Sequence, residues 1–395
     1  MTVAHPNLCS RLTLSAVLLI GHLAPSGADG QQSRDSVFAV TASRLIDVET
    51  GTVVPRGIVV IRGGRIELVG PISSVTIPAG TPVTDLGDAT LLPGLIDVHV
   101  HLLLGGAPRA NAAATLSAGF TTVQDLGALG YDNVRLRDSI AAGATPGPRI
   151  IASGPWLGVT GGICDFNGIG VHNRDELLAR IRTDVENKAD LIKLCITGWP
   201  QAGYAFPDSV ELDPADVARV VAESRQAGRP VVAHAIGRAG AASAVRGGVA
   251  GLAHSAYVDD ATISLMRERN IWMASTLVSF AAVDSAARAA LRERVQVALR
   301  SGVPIVLGTD AGVVPHGSNA REFRALVRLG MKPMDAIRAG TIAAAQALAI
   351  ADSLGSLTAG KIADLVAVTG DPLSDISAME RVVLVVQDGR VVRRN

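Results

Sequence analysis

The chain is short of cysteine, aromatic side chains, net charge and long apolar runs, and each shortage excludes something. Only 3 cysteines occur in 395 residues. Cys9 lies in the N-terminal segment, which leaves Cys164 and Cys195, and two cysteines in so long a chain are not a disulfide scaffold. Trp, Tyr and Phe number 3, 3 and 6, whereas Gly alone numbers 42. Few rings and many small residues suit closely packed α/β layers, in which helices sit tight against strands. Lys plus Arg and Asp plus Glu are 36 each, a formal charge of zero. That balance argues against a general nucleic-acid or anionic-membrane surface. The N-terminal apolar run, residues 12–24, is too short to span a bilayer, which needs about 20 residues. No low-complexity segment and no sequence repeat is present.

The same run has the form of a targeting signal. Arg11 precedes it, and Ser26 and Ala28 follow at the spacing a signal peptidase reads. Residues 1–28 are expected to be a removable leader, which places the mature chain, from about Asp29, in the periplasm or outside the cell. A buried N-terminal helix is the alternative.

The most informative stretch is LLPGLIDVHVHL, residues 91–102. It reads as a buried strand entered through a turn at Pro93 and Gly94. Side chains on a strand alternate faces. Leu95, Asp97, His99 and His101 are expected on one face, and Ile96, Val98 and Val100 on the other, under a layer of helices. Two imidazoles one pleat apart at the end of an apolar strand suit a divalent metal such as zinc; the alternative is a pair of satisfied core histidines.

Residues 36–92 read as short β-elements with a hairpin turn at Gly63-Gly64. Residues 363–368 and 381–386 are strand-like, and Asp388-Gly389 signals a second hairpin. Between these flanks, apolar strands alternate with helical stretches. Strands are expected at 95–101, 121–126, 149–153, 191–196, 230–236, 251–255, 271–276 and 304–310, with helices such as 174–188 and 214–227. Asp213 before Pro214 is an N-cap and first-turn pair. Eight strands, each followed by a helix, match a (β/α)8 TIM-type barrel. A doubly wound open sheet is the rival, but no Gly-rich phosphate loop follows the first strand. The expected organisation is a leader over 1–28, a barrel over 93–352, and a small β-sandwich domain from 36–92 with 353–395.

In such a barrel, function sits at the C-terminal ends of the strands. The polar residues there are His99 and His101, Lys193 in DLIKLCITG, His234 in VVAHAIG, His254 in GLAHSA and Asp310 in VLGTDAG. Each follows an apolar run, where an unsatisfied polar group is expensive. Singly, each has a bland reading: Lys193 paired with an acid, His254 bonded to a carbonyl. All six at one rim read as a metal site.

With these residues in view, the chain resembles the amidohydrolase superfamily, in its imidazolonepropionase-like and prolidase-like branch. The resemblance covers nearly all of the expected mature chain. It rests on LLPGLIDVHVHL, on GFTTVQDLG at 119–127, on TGG at Thr160, on GTDAG at 308–312 and on GSLTAGKIADLVAV from Gly355. It implies two divalent ions, zinc by ligand type. His99, His101 and Asp310 would hold the more buried ion and His234 and His254 the other, with the Lys193 carbamate between them. A lysine in a dry pocket loses its charge readily and can then add CO2. The implied reaction is hydrolysis of an amide bond in a dipeptide-like or N-acyl amino acid substrate by a metal-bridged hydroxide. Asp310 would be the catalytic proton carrier. Lactone, ester or cyclic-amide hydrolysis on the same metals is a second reading, and a non-catalytic scaffold that kept the fold is a third.

Candidate substrate-binding residues are His316 and Asn319 in PHGSN, Arg109 on the first loop and Tyr204 on the fourth, with Tyr257 and Trp199 as pocket walls. The expected partners are a small-molecule amide substrate and further copies of the chain in a homo-oligomer. Nucleic acid is not expected, nor is membrane once the leader is gone. Two positions depart from the prolidase-like pattern. Ile163 stands where relatives read TGGH, and Ile236 stands two residues past the strand 5 ligand, where relatives carry a polar aromatic or a histidine. Both departures predict a dry pocket wall that favours bulky apolar acyl groups. In an oxidising compartment Cys164 and Cys195 could pair, since the ends of strands 3 and 4 are adjacent; Cys195 could also lie too far down the barrel.

Overall fold

The computed structural model describes residues 36–199, 210–283 and 285–394; the expected leader lies outside them. Both flanks join in one β-unit. Val37–Asp47, Thr52–Arg62, Arg65–Pro71, Val83–Asp85 and Ala89–Pro93 come from the N-terminal side, and Leu365–Thr369, Val382–Gln387 and Arg390–Arg394 from the C-terminal side. The flanks meet where Ala89–Pro93 pairs antiparallel with Leu365–Thr369. The predicted turns at Gly63-Gly64 and Asp388-Gly389 each close a hairpin. The eight strands form one sheet: seven follow a single path, and Val83–Asp85 branches off beside Val37–Asp47. Period-two alternation separates its faces. Phe38, Val40, Val59, Ile61, Leu365, Ala367, Leu384 and Val386 form a core of the unit's own. Val366, Val368, Val382 and Val385 face the other way and join the main core of the molecule.

The chain passes from this unit into the central region at Gly94. No side chain fits there, because a Cβ would lie 2.2 Å from Thr121 Oγ1. Eight parallel strands follow: Leu95–Val100, Phe120–Asp125, Arg149–Ala152, Ile192–Cys195, Val231–His234, Gly251–Ala253, Trp272–Ala274 and Ile305–Val306. Each lies within one of the eight stretches predicted from sequence or overlaps it. The intervening helices are those of a TIM-type α/β arrangement, including Arg174–Glu186 and Pro214–Gln226. Asp213 caps the latter as predicted, accepting from Asp216 N at 2.8 Å. The strands form ladders of three and five. Among the described residues the ladders are linked by single bridges, Leu157 with Leu194 and Val100 with Ala311. Among the described residues no helix is long and apolar enough to cross a membrane.

One strand departs from simple alternation. Ile96 and Val98 were expected under the helices. They cluster with Leu126, Val232, Ala253, Trp272, Ala274 and Val306 of the other strands, and with Ala344 and Ala345 of the helix Ile342–Ala347. The cause is a pair of register shifts in the first strand, at Leu95/Ile96 and between Asp97 and Val100. They break the pleat and still deliver His99 and His101 to the strand's end.

Cys164 and Cys195 are joined in a disulfide with Cα atoms 6.2 Å apart. The segment after the third strand folds over the fourth, with Leu157 N bonded to Lys193 O and Cys195 N to Leu157 O. That fold carries Cys164 to Cys195, so the inward setting of Cys195 is no obstacle. Thiol titration of the denatured, unreduced mature protein should find no free thiol. A count of two would mean that the pair is open.

Candidate metal centre

The first and eighth strands build the core of the site. Nε2 of His99 and Nε2 of His101 lie 3.3 Å apart. Asp310 Oδ1 stands 3.5 Å from the first and 3.2 Å from the second. A tetrahedral ion with bonds of about 2.0–2.1 Å sets its ligand atoms about 3.3–3.4 Å apart, so these three atoms have the edge lengths of one coordination face. All three residues are buried. His254 extends the cluster, its Nε2 4.0 Å from Asp310 Oδ2 and its Nδ1 oriented by Thr276 Oγ1 at 3.2 Å. The His234 ring lies 4.9 Å from that of His254. Lys193 is 2% exposed, and its Nζ has no hydrogen-bond partner. His99 Nδ1, His101 Nδ1 and Asp310 Oδ1 are likewise buried without a hydrogen bond. Native interiors rarely leave a buried carboxylate oxygen and a lysine amine unpaired in one place, and a cation between the two Nε2 atoms and Asp310 Oδ1 would partner that oxygen. The residues present therefore fit a metal.

The backbone is strained around the same point. His254, Thr276 and Asp310 take φ of 72°, 43° and 60°, left-handed values that cost energy for non-glycine residues and concentrate at functional sites. Gly312, in the loop just past Asp310, must be glycine, because a Cβ would meet His101 O at 2.7 Å.

Protonation states suit ligation. Burial drives the His99 and His254 imidazoles well below their ordinary pKa and His234 down to about 3. Burial also pushes Lys193 down to about 7, against the pull of Asp310. Burial alone would raise Asp310, but His99, His101 and His254 together hold it well below the usual carboxylate range. Neutral imidazoles, a carboxylate anion and an amine that sheds its proton readily are what cation binding requires.

Three buried acids outside the predicted set, with the half-buried Glu211, organise the surroundings of this cluster. Asp97 Oδ1 accepts from His99 N at 3.1 Å and from Thr309 N at 3.0 Å. Its Oδ2 accepts from Thr309 Oγ1 at 2.6 Å and from Asn319 Nδ2 at 2.8 Å. It thus ties the first strand to the eighth. Asp125 accepts from Leu102 N at 2.8 Å and from Asn133 Nδ2 at 3.0 Å, fixing the chain just past His101. Glu322 accepts from Leu277 N and Val278 N at 2.8 and 3.0 Å, holding the loop after Thr276. Glu211 accepts from Ile163 N at 3.0 Å. The signal for Asp97 was visible in the sequence, as an acid two residues before His99 in a run of apolar residues.

The substrate candidates are placed differently from expectation. Asn319 is 1% exposed and donates its amide to Asp97 Oδ2, so it braces the first strand against the eighth. His316 uses both ring nitrogens on the protein, 3.0 Å from Thr115 Oγ1 and 3.2 Å from His101 O. It braces the end of the first strand rather than presenting a free nitrogen. Arg109 is exposed and lines a groove of about 600 Å3 with Leu103 and Trp156; none of the site histidines lines that groove. Tyr204 lies outside the described residues. Ile236 is fully buried in the main core, so it is no pocket wall, whereas Ile163 packs on Trp156 and the disulfide. Aromatic rings flank the imidazoles on two sides. Trp156 is 5.6 Å from His101, and Trp199 is 5.9 Å from His234 and 5.2 Å from His254.

Residues 90–392 match the model of the amidohydrolase family. The chain belongs to that family. It is 28% identical over 352 residues to ochratoxinase of Aspergillus niger, covering 73% of this chain and 72% of that one. It is 27% identical over 353 residues to imidazolonepropionase of Pseudomonas putida, covering 78% and 86%. A solved Xaa-Pro dipeptidase with methionine bound in its active site superposes with a TM-score of 0.84 at 32% identity, over 91% of this chain and all of that one. These likenesses place the amidohydrolase in the prolidase-like and imidazolonepropionase-like branch that its motifs suggested. It is a metal-dependent hydrolase acting on amide bonds.

Proposed function

We propose that this amidohydrolase cleaves the amide bond of N-acyl amino acids or dipeptide-like molecules, using two divalent ions. The observation that carries the reading is the convergence of His99 Nε2, His101 Nε2 and Asp310 Oδ1 at coordination spacing, with the unpartnered Lys193 Nζ buried nearby. Its likeness to an Xaa-Pro dipeptidase and to an ochratoxinase supports the amide class. His99, His101 and Asp310 would hold one ion, and His234 and His254 the other. Lys193 would join them as its carbamate: the neutral amine adds CO2 and releases one proton. Ions held there would acidify a bound water and polarise a carbonyl. Asp310, kept anionic by the imidazoles around it, accepts a proton at Oδ2 and returns it to the departing amine. Asp97 and Asp125 hold the strand ends in place, and Trp156 and Trp199 exclude water from the mouth.

The leader and the disulfide together support export to an oxidising compartment. The aromatic walls set the preference. Burying one large apolar group contributes roughly 1.5–3 kcal/mol, so kcat/KM for an N-aromatic-acyl amino acid should exceed that for Gly-Pro by about tenfold to a hundredfold. The test is this pair of assays on metal-loaded protein, with metal content measured alongside. Equal or faster cleavage of Gly-Pro would return specificity to the small polar dipeptides, and a purified protein with neither bound metal nor amidase activity would end the reading.

A further inference from the structure

We propose that the cleft between helices Ser285–Arg300 and Arg321–Arg328 binds a compact, multiply charged oxyanion, one carrying two or more closely spaced phosphate-type groups. The cleft has a volume of about 250 Å3 and is lined by Arg288, Arg292, Arg321, Arg324 and Arg328. The first two are one helical turn apart. The other three follow at three- and four-residue steps, so both rows project from a single helix face each. Among the described residues, the one carboxylate paired with them is that of Glu380, 3.0 Å from Arg324 and 4.0 Å from Arg321. Five guanidinium groups less one carboxylate leave a local charge of plus four, on a chain whose total is zero.

The other acid on the second helix does not relieve this charge. Glu322 turns inward to Leu277 N and Val278 N. Arg288 donates only to Ala281 O, at 3.0 Å. Arg292 and Arg328 have neither ion pair nor hydrogen bond among the described residues. Like charges one turn apart destabilise a helix. Here they recur on two facing helices with only Glu380, among the described residues, to offset them, and such a breach of a local rule marks a functional position. The floor is apolar and fixed. Leu277, Val278, Ala281, Ala325 and Leu329 form it, and Glu322 pins the first two. A low-dielectric floor strengthens the field above it. Guanidinium forks match the geometry of phosphate oxygens two at a time, and the volume suits a small molecule rather than a macromolecule.

The experiment is titration calorimetry of the metal-loaded enzyme with tripolyphosphate at low salt. One site per chain is expected, with affinity falling as salt rises. Arg292→Gln combined with Arg328→Gln should weaken binding at least about tenfold, and Arg328→Lys should weaken it less. Both variants alter exposed side chains, and unchanged metal content would certify their fold. Tripolyphosphate can also reach the catalytic metals, so binding that persists in the double variant would assign the heat to them and overturn the proposal. Absence of binding would overturn it too. So would sedimentation with phosphatidylglycerol vesicles in place of binding to the soluble probe, since that would make the cleft a membrane contact.

Discussion

Lys193→Ala is expected to lose most of its bound metal and at least about a thousandfold in kcat/KM, while folding normally. The size follows from its place. Residues that merely orient metal ligands cost about tenfold to a hundredfold when removed, and a group shared between two ions should cost more. Lys193 Nζ is buried and makes no hydrogen bond. Without metal, the amine is therefore a liability, since a buried polar group left unpaired costs about 1–3 kcal/mol. Lys193→Met should accordingly be inactive yet melt at a higher temperature than the wild type when both are stripped of metal. Bicarbonate or a short carboxylic acid should restore part of the activity of Lys193→Ala by supplying the missing carboxylate. Full activity in Lys193→Ala would remove the two-metal reading, and a lower melting temperature for metal-free Lys193→Met would show that the amine has a structural partner.

The strands were legible because a buried parallel strand is a short apolar run with turn residues at its ends, and each of the eight has that form. The histidines, Lys193 and Asp310 stood out for the same reason in reverse: each is a polar residue where burial makes polarity expensive. What escaped was anything set by contacts between distant segments. Asn319 and His316 lie just after the eighth strand, where a substrate contact is plausible. Their partners, Asp97, Thr115 and His101, are 222, 201 and 215 residues away. The facing of Ile96 and Val98 depended on register shifts that alternation alone does not contain. The disulfide depended on a loop crossing from the third strand to the fourth, and the same crossing set Ile163 against it. Local pattern thus located the chemistry, while the bracing around it needed the packed structure.

That bracing carries the second large effect. Asp97→Asn should weaken metal binding by about tenfold to a hundredfold and lower stability by about 1–3 kcal/mol, although Asp97 itself touches neither metal nor substrate. Its two oxygens accept four hydrogen bonds. Two of the donors are backbone N–H groups adjoining the ligands: His99 N belongs to a ligand, and Thr309 precedes Asp310. An asparagine offers one oxygen in place of two. If that oxygen faces His99 N and Thr309 N, its amide meets the amide of Asn319, donor against donor. If it is flipped, both backbone groups are left unpaired. Either way a buried donor is orphaned, and the first and eighth strands lose their common clamp. The shared face of His99, His101 and Asp310 then opens, because the first strand supplies two of its residues and the eighth supplies the third. Asn319→Asp added to Asp97→Asn returns an acceptor to that contact, so the pair should recover part of the loss, a coupling that a double-mutant cycle reads directly. Metal affinity unchanged in Asp97→Asn, with stability reduced, would make Asp97 a packing residue only. Strictly additive losses in the double variant would show that Asp97 and Asn319 do not act through each other.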